Sequence, residues 1–311
     1  MNPVPLSRIN FYNPTASFVL TIAILVLNCG HTQQGNDFEF APRAKGIFLT
    51  NPSYVLDYDV ESRLTNWVHY RLDASECLGK IPRKDDFRAD GRVGEDGVDH
   101  LAYRGSGYDR GHLKPAADSK SSYAEMSNSF LMTNMAPQTP NLNRGIWKRL
   151  EDQTRDWALE FGSVHVSCGP GFETYDWLSS CVRVPEGFWK IVLRLAPDTA
   201  ALAFYFPNAE QVTGSLADYT LSVDSLERMI RLDLMPALPD STEMRIEAIV
   251  PNTIWSTHQS THSTEKQPEN HSKAPTRTGR AVQCMGIAKS TGNRCRQKTT
   301  DPTGYCRYHR D

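Results

Sequence analysis

Two short segments, Tyr108-Asp109-Arg110-Gly111-His112 and Asn143 through Glu151, constrain this chain more than any other feature. Each sets polar, chemically capable side chains beside residues that fix backbone geometry. Together they supply a candidate general base in His112, a cation in Arg110, a hard oxygen ligand in Asn143 and a carboxylate in Glu151. Such a set suits metal-assisted hydrolysis of a phosphodiester, in which one group deprotonates water and a cation stabilises the leaving oxygen. A histidine on a short strand is more often structural than catalytic, so the base reading of His112 depends on the second segment.

Around these segments the pattern alternates irregularly between periods of two and of 3.6. Ser53 to Leu56 and Trp67 to Leu72 read as the first strands. Val164 to Ser167, Trp189 to Leu195 and Ala200 to Phe206 supply further strands, and Phe130 to Thr133 reads as another. Helical spacing is clearest from Asn143 to Phe161, where Ile146, Leu150, Trp157 and Phe161 fall on one side. Ser119 to Asn128 and Tyr219 to Ile230 are shorter helical stretches. Asn143 stands at a helix start, where asparagine is a favoured cap, so cap and ligand readings coexist there. Strands and helices do not alternate regularly, which makes the class α+β, a central antiparallel sheet flanked by helices.

Three ordered blocks carry a resemblance: Asp109 to Ala116, Thr133 to Gln138, and Leu142 to Gly145 continuing through Trp147, Leu150 and Glu151. They resemble the DNA/RNA non-specific endonucleases of the ββα-metal (His-Me finger) superfamily, and three blocks in order are far more specific than one four-residue motif. Weaker echoes follow at Val184 to Lys190, Ser222 to Glu227 and Leu232 to Pro239, so the likeness spans roughly residues 45 to 250. It implies DNA and RNA as substrates and Mg²⁺, with Mn²⁺ an alternative, as the active-site ion. His112 would be the base, Asn143 the sole direct metal ligand and Glu151 a carboxylate acting through metal-bound water. Arg110 would meet phosphate, and Asn134 would orient the site. Asp109 and Gly111 would be geometric, a local acceptor and a position needing no side chain. An upstream arginine also belongs to the family pattern. Arg83, Arg88 and Arg92 all lie in the charged loop between Lys80 and Asp99, and the register does not choose among them.

Charge is unevenly placed. The chain carries −2 overall, but the part from Thr253 onward carries +6, leaving −8 before it. That excludes a protein that coats nucleic acid through a broad basic face, and leaves room for a locally positive cleft. At the other end, Ala16 to Leu27 is an apolar run too short for a membrane span and suited to a signal-peptide core. Residues 1–29 are accordingly read as an export signal and 30–37 as a tether. Any membrane association would come through that signal or a lipid anchor. Cys29 follows the run as a lipoprotein box would place it, although Asn28 is large for that position. Ordinary cleavage nearby and an uncleaved anchor are the alternatives, with a secreted, periplasmic or envelope-anchored product. Cys168 and Cys181 flank a loop and could pair in an oxidising compartment, or stay as free thiols.

The catalytic body is placed at residues 38–252. Residues 253–281 are nearly devoid of apolar side chains and read as a flexible linker. The last segment, 282–311, holds Cys284, Cys295, Cys306 and His309, a ligand set that suits structural Zn²⁺, with a disulfide among the exported cysteines as the alternative. The leading reading is an exported metal-dependent endonuclease that leaves 5′-phosphate ends. The rivals are a non-catalytic envelope lipoprotein that binds nucleic acid or a partner through the zinc module, and a secreted nuclease toxin.

Overall fold

The computed structural model describes residues 37–171, 176–179, 181–251 and 253–257, with two short strands at Val282–Gln283 and Lys298–Thr299. The signal segment with Cys29, most of the 253–281 stretch, and Cys284, Cys295, Cys306 and His309 lie outside the described residues. Among the described residues no helix is long and apolar enough to cross a membrane.

A seven-stranded, wholly antiparallel sheet forms the centre. Its order is β1 (Ile47–Asn51), β2 (Tyr54–Asp59), β3 (Leu64–Asp73), β6 (Ser163–Gly171), β9 (Gly187–Arg194), β10 (Ala200–Pro207) and β11 (Thr220–Leu221). Adjacent residues along the strands divide between two cores. Leu56, Val68 and Val192 pack with Trp147, Leu150 and Trp157 on one face, while Val55, Trp67 and Ile191 pack with Val223, Leu226 and Ile246 on the other. Because both faces are covered, the central strands are buried almost continuously rather than alternately.

The first of these faces carries a hairpin-like pair and a helix: β4 (Asp109–His112), β5 (Met135–Gln138) and α3 (Lys148–Phe161). Between β4 and β5 the chain makes an excursion that includes α2 (Tyr123–Asn128), whose cap Ser122 accepts from Glu125 N at 3.1 Å. The opposite face carries α4 (Val223–Ile230), capped by Ser222, and α5 (Asp240–Glu247). A minor pair, β7 (Trp177–Leu178) and β8 (Val182–Arg183), lies beside the sheet.

Four readings from sequence change. Phe130–Thr133 is not a strand: Met132–Asn134 closes a tight turn, and pairing begins only at Met135. The helix read from Asn143 divides in two. A wide turn of helix at Leu142–Trp147, kinked at Gly145, precedes α3, so Asn143 lies inside a helical turn and is not a cap. Cys168 and Cys181 are not bridged. Cys168 faces the core, where its thiol donates to the Leu113 carbonyl at 3.2 Å, while Cys181 turns between β7 and β8.

The fourth concerns the end of the body. The chain divides into two compact units after Thr257. Trp255 packs its ring 5.2 Å from Trp157 and 5.6 Å from Phe161, and its carbonyl accepts from the Trp157 indole at 3.0 Å. Residues 253–257 therefore belong to the body and not to the linker. Truncation after Thr257 is expected to leave the melting temperature unchanged. Truncation after Pro251 should lower it by roughly 3–12 °C, since burying a large side chain contributes about 1.5–3 kcal/mol and each kcal/mol shifts a body of this size by about 2–4 °C. Equal melting curves for the two would show that Trp255 contributes nothing.

Candidate active site

The two β-strands of the site pair one to one, with Asp109 opposite Gln138, Gly111 opposite Ala136 and His112 opposite Met135. Gly111 is required by contact: a Cβ there would meet the Gln138 side-chain oxygen at 2.1 Å. The excursion between the strands is braced by Asn134. Its amide donates to the carbonyls of Lys114 and Ser129 at 2.9 and 2.8 Å, and its oxygen accepts from Lys114 N at 2.9 Å. Asn134 is fully buried and all these bonds run to backbone, so it positions the motif from behind and does not reach the cleft.

On the cleft side, Asp109 clamps the start of the helical segment. Its carboxylate accepts from the Asn143 amide at 2.9 Å and from two guanidinium nitrogens of Arg144 at 2.8 and 2.6 Å. Burial works to raise the Asp109 carboxyl, but the hydrogen bonds from Arg144 and Asn143 outweigh it and hold it below the usual range. An ionised carboxylate only accepts, so it fixes the Asn143 amide with NH₂ inward and leaves Oδ1 for another partner. The wide helical turn places Asn143 there. Such turns recur at functional sites, because they reorient one side chain without ending the helix.

His112 lies across the same cleft, 9 % exposed, held between the edges of Phe130 and Phe87 at 5.0 and 5.8 Å. The Trp147 indole donates to its backbone carbonyl at 3.3 Å, which ties β4 to the helical segment. The imidazole Nε2 has no hydrogen-bond partner among the described residues. Burial, then Arg83 and Arg110, lower its pKa to about 3. The sequence suggests a base with an ordinary pKa, whereas the folded protein holds a neutral imidazole beside two arginines.

The cleft has a volume of about 550 Å³, and His112, Asn143 and Glu151 share its wall with Arg83, Arg110, Lys120, Arg144, Lys148 and Arg155. Among the described residues Glu151 and Asp152 are its only acidic lining groups, so the cleft is locally positive in an acidic body, as a site for a polyanion requires. The three loop arginines separate here. Arg88 is tied to Ser127, Asn128 and Asp86, and Arg92 to Asp90, Asn51 and Thr50. Only Arg83 lines the cleft.

Arg155 was not legible as a site residue from the motifs. It forms an ion pair with the buried Asp118 at 2.6 Å and a second with Asp152. The signal available was its position four residues after Glu151, which puts both on one helix face. Beneath that face Lys190 is fully buried, its ammonium 4.3 Å from the centre of the Trp147 ring.

The partly buried Glu151 carboxyl is pushed up to about 7 by burial, with Lys190 pulling it down and Asp118 adding to the rise. A carboxyl that ionises later in the folded chain than in the unfolded one, near pH 4.3, opposes folding once ionised. Its own contribution to stability is therefore lost as pH rises between about 4.3 and 7. In EDTA, Glu151→Gln should gain melting temperature relative to the parent as pH rises across that window. An identical slope in the variant would place the Glu151 pKa at its ordinary value.

Comparison with known proteins bears on this geometry. A family model described as DNA/RNA non-specific endonuclease matches residues 32–241. The chain belongs to that family. A nuclease of Nostoc sp. (strain PCC 7120 / SAG 25.82 / UTEX 2576) is 34% identical over 216 residues, covering 66% of this chain and 78% of that protein. Human mitochondrial endonuclease G is 33% identical over 201 residues, covering 59% and 68%. The mitochondrial nuclease EXOG of Danio rerio is 36% identical over 214 residues, covering 63% and 62%. The fold is similar to that in a crystal structure of the EndoG/EndoGI complex, with a TM-score of 0.59 and 24% identity over 63% of this chain and 89% of that one. The α+β, ββα-metal nuclease fold follows. So does a nuclease of a metal-dependent family.

The oxygen donors of the cleft fit a hard cation. Asn143 offers a neutral Oδ1 freed by Asp109, and Glu151 offers a carboxylate in the same wall, a sparse oxygen set that suits an ion retaining most of its water. Among the described residues, a group of Asp224, Glu227 and Glu247 on the other side of the sheet could also gather round a cation. It shares no residue with the cleft.

Proposed function

We propose that this protein is an exported, Mg²⁺-dependent endonuclease that cuts both DNA and RNA with little regard for sequence, leaving 5′-phosphate and 3′-hydroxyl ends. The observation that carries it is the clamp at Asp109, which turns the Asn143 oxygen into a cleft whose wall His112 shares. Asn143 and, through water, Glu151 would hold the Mg²⁺, with Mn²⁺ a substitute. When bound, the ion neutralises charge on the leaving oxygen and on a non-bridging phosphate oxygen. Neutral His112 takes a proton from the attacking water. Arg83 and Arg110 meet the phosphate, and its negative charge cancels the two cations that depress the His112 pKa. The base thus strengthens when substrate arrives. Arg155, held by Asp118, adds positive charge on the Glu151 face. Nothing in the set reads base edges, which supports low sequence preference. Plasmid and RNA digestion with Mg²⁺, with EDTA and with no added metal is the test. Cutting that survives EDTA would refute the metal role, and cutting of only one nucleic acid would refute sugar non-specificity.

For the second unit we infer a zinc module in which Cys284, Cys295, Cys306 and His309 are the ligands. Its basic residues would tether polyanions to the body, an effect that weakens steeply with salt. Full-length protein and protein ending at Thr257 should cut plasmid at similar rates in moderate salt but differ in DNA affinity at low salt. Equal affinities and equal salt slopes would remove the tethering role.

A further inference from the structure

The cleft that holds His112 continues past Arg110 into a second hollow that hydrolysis at His112 does not use. Arg110 and Asp109 line this hollow and the middle of the cleft, and Arg110 and Asn143 carry the wall on towards His112 and Glu151. The hollow has a volume of about 280 Å³, and the rest of its wall is His100, Leu101, Tyr103, Arg104 and Tyr108. Small-ligand sites begin at roughly 300 Å³, so there is room for one flat ring system and none for a paired helix.

The wall is built, not merely left over. The turn His100–Tyr103 opens where Asp99 accepts from Leu101 N at 2.7 Å. It closes where Ser106 donates to the Tyr103 carbonyl at 2.8 Å and accepts from Tyr108 N at 3.1 Å. Gly105 and Gly107, with φ of +71° and +84°, supply the left-handed backbone that the return needs. So braced, the turn presents apolar and cationic groups together. Leu101 is 50 % exposed, and Arg104 is exposed with no side-chain hydrogen bond or ion pair among the described residues. Tyr103, 6 % exposed, backs the wall from the core side.

We propose that this hollow is a nucleotide subsite that takes the unpaired base of the nucleotide next to the scissile phosphate. The base lies against Tyr108, His100 and Leu101, and Arg104 meets the next backbone phosphate. The assignment rests on phosphodiester hydrolysis in the adjoining cleft and adds that the strand is held single at this point. Aromatic faces accept every base alike, so the subsite binds without reading sequence.

Binding in EDTA, where metal-dependent cutting stops, tests this on the full-length protein. The probes are a short single-stranded DNA carrying a fluorescent adenine analogue at successive positions, and its duplex. One position of the single strand should be quenched on binding. His100→Ala with Arg104→Ser, both on the exposed turn, should abolish that quenching and weaken single-strand affinity by roughly 5- to 150-fold. Duplex affinity should change far less. Tyr108→Leu, which keeps apolar volume but removes the ring, should also abolish the quenching. No quenched position in the parent protein, or equal quenching in the variants, overturns the subsite. Plasmid cutting by the same samples in Mg²⁺ reports separately on catalysis. Quenching without cutting supports the subsite and counts against hydrolysis at His112.

Discussion

His112→Ala is expected to lower turnover on both DNA and RNA by about 10²–10⁴-fold, the range for loss of a positioned general base. The fold should survive, because the strand is held by pairing to β5 and by the Trp147 bond to the backbone carbonyl, neither of which needs the imidazole. The ring does contribute to native stability through its protonation. Burial lowers its pKa to about 3, below an unfolded value near 6.5. A depressed pKa gives stability that is present above the unfolded value and lost as pH falls from about 6.5 towards 3. His69 and His165, lowered to about 3 and 4 chiefly by burial, act in the same direction. The parent should therefore lose melting temperature on acidification, and the variant should lose less. Near-parental turnover in His112→Ala would place the base elsewhere.

The features legible in the sequence were those fixed by local chemistry. Asp109, Gly111 and His112 stand together because a four-residue strand carries them, and Leu150 and Trp157 announced the buried side of α3 through their spacing. The remainder depended on contacts distant in sequence. Nothing local distinguishes Arg83 from Arg88 and Arg92. Arg88 and Arg92 are occupied by partners about forty residues away, Ser127 and Asn128 for the one and Asn51 for the other. The Asn143 cap reading failed because Gly145 lets the helical segment start early and kink, an irregularity that a period of 3.6 cannot show. Phe130–Thr133 has strand composition, yet the Asn134 amide draws this segment into a turn against Lys114 and Ser129. Trp255 looked like linker because the surrounding composition is polar, and only packing on Trp157 reveals it as part of the core.

Asn143→Ala is expected to lose activity by at least about 10³-fold, since a bound cation contributes several kcal/mol to transition-state charge. Raising Mg²⁺ should not restore the rate, because alanine removes the direct oxygen ligand and leaves only the water-mediated hold of Glu151 in that wall. Thermal stability should change little. Asn143 is not a helix cap, and the one bond lost, from its amide to Asp109, leaves that carboxylate still held by Arg144 on two nitrogens. Asp109→Ala separates orientation from ligation. It keeps the Asn143 oxygen but frees the amide to rotate, and loss of such a supporting partner typically lowers metal affinity or activity by roughly 10- to 100-fold. In this variant, high Mg²⁺ should recover part of the rate. Mg²⁺ titration with activity as one readout and calorimetric binding as the other distinguishes the two. Unchanged Mg²⁺ affinity in Asn143→Ala would reject Asn143 as the ligand. Equal and unrecoverable losses in both variants would instead show that Asp109 acts on more than the orientation of one amide.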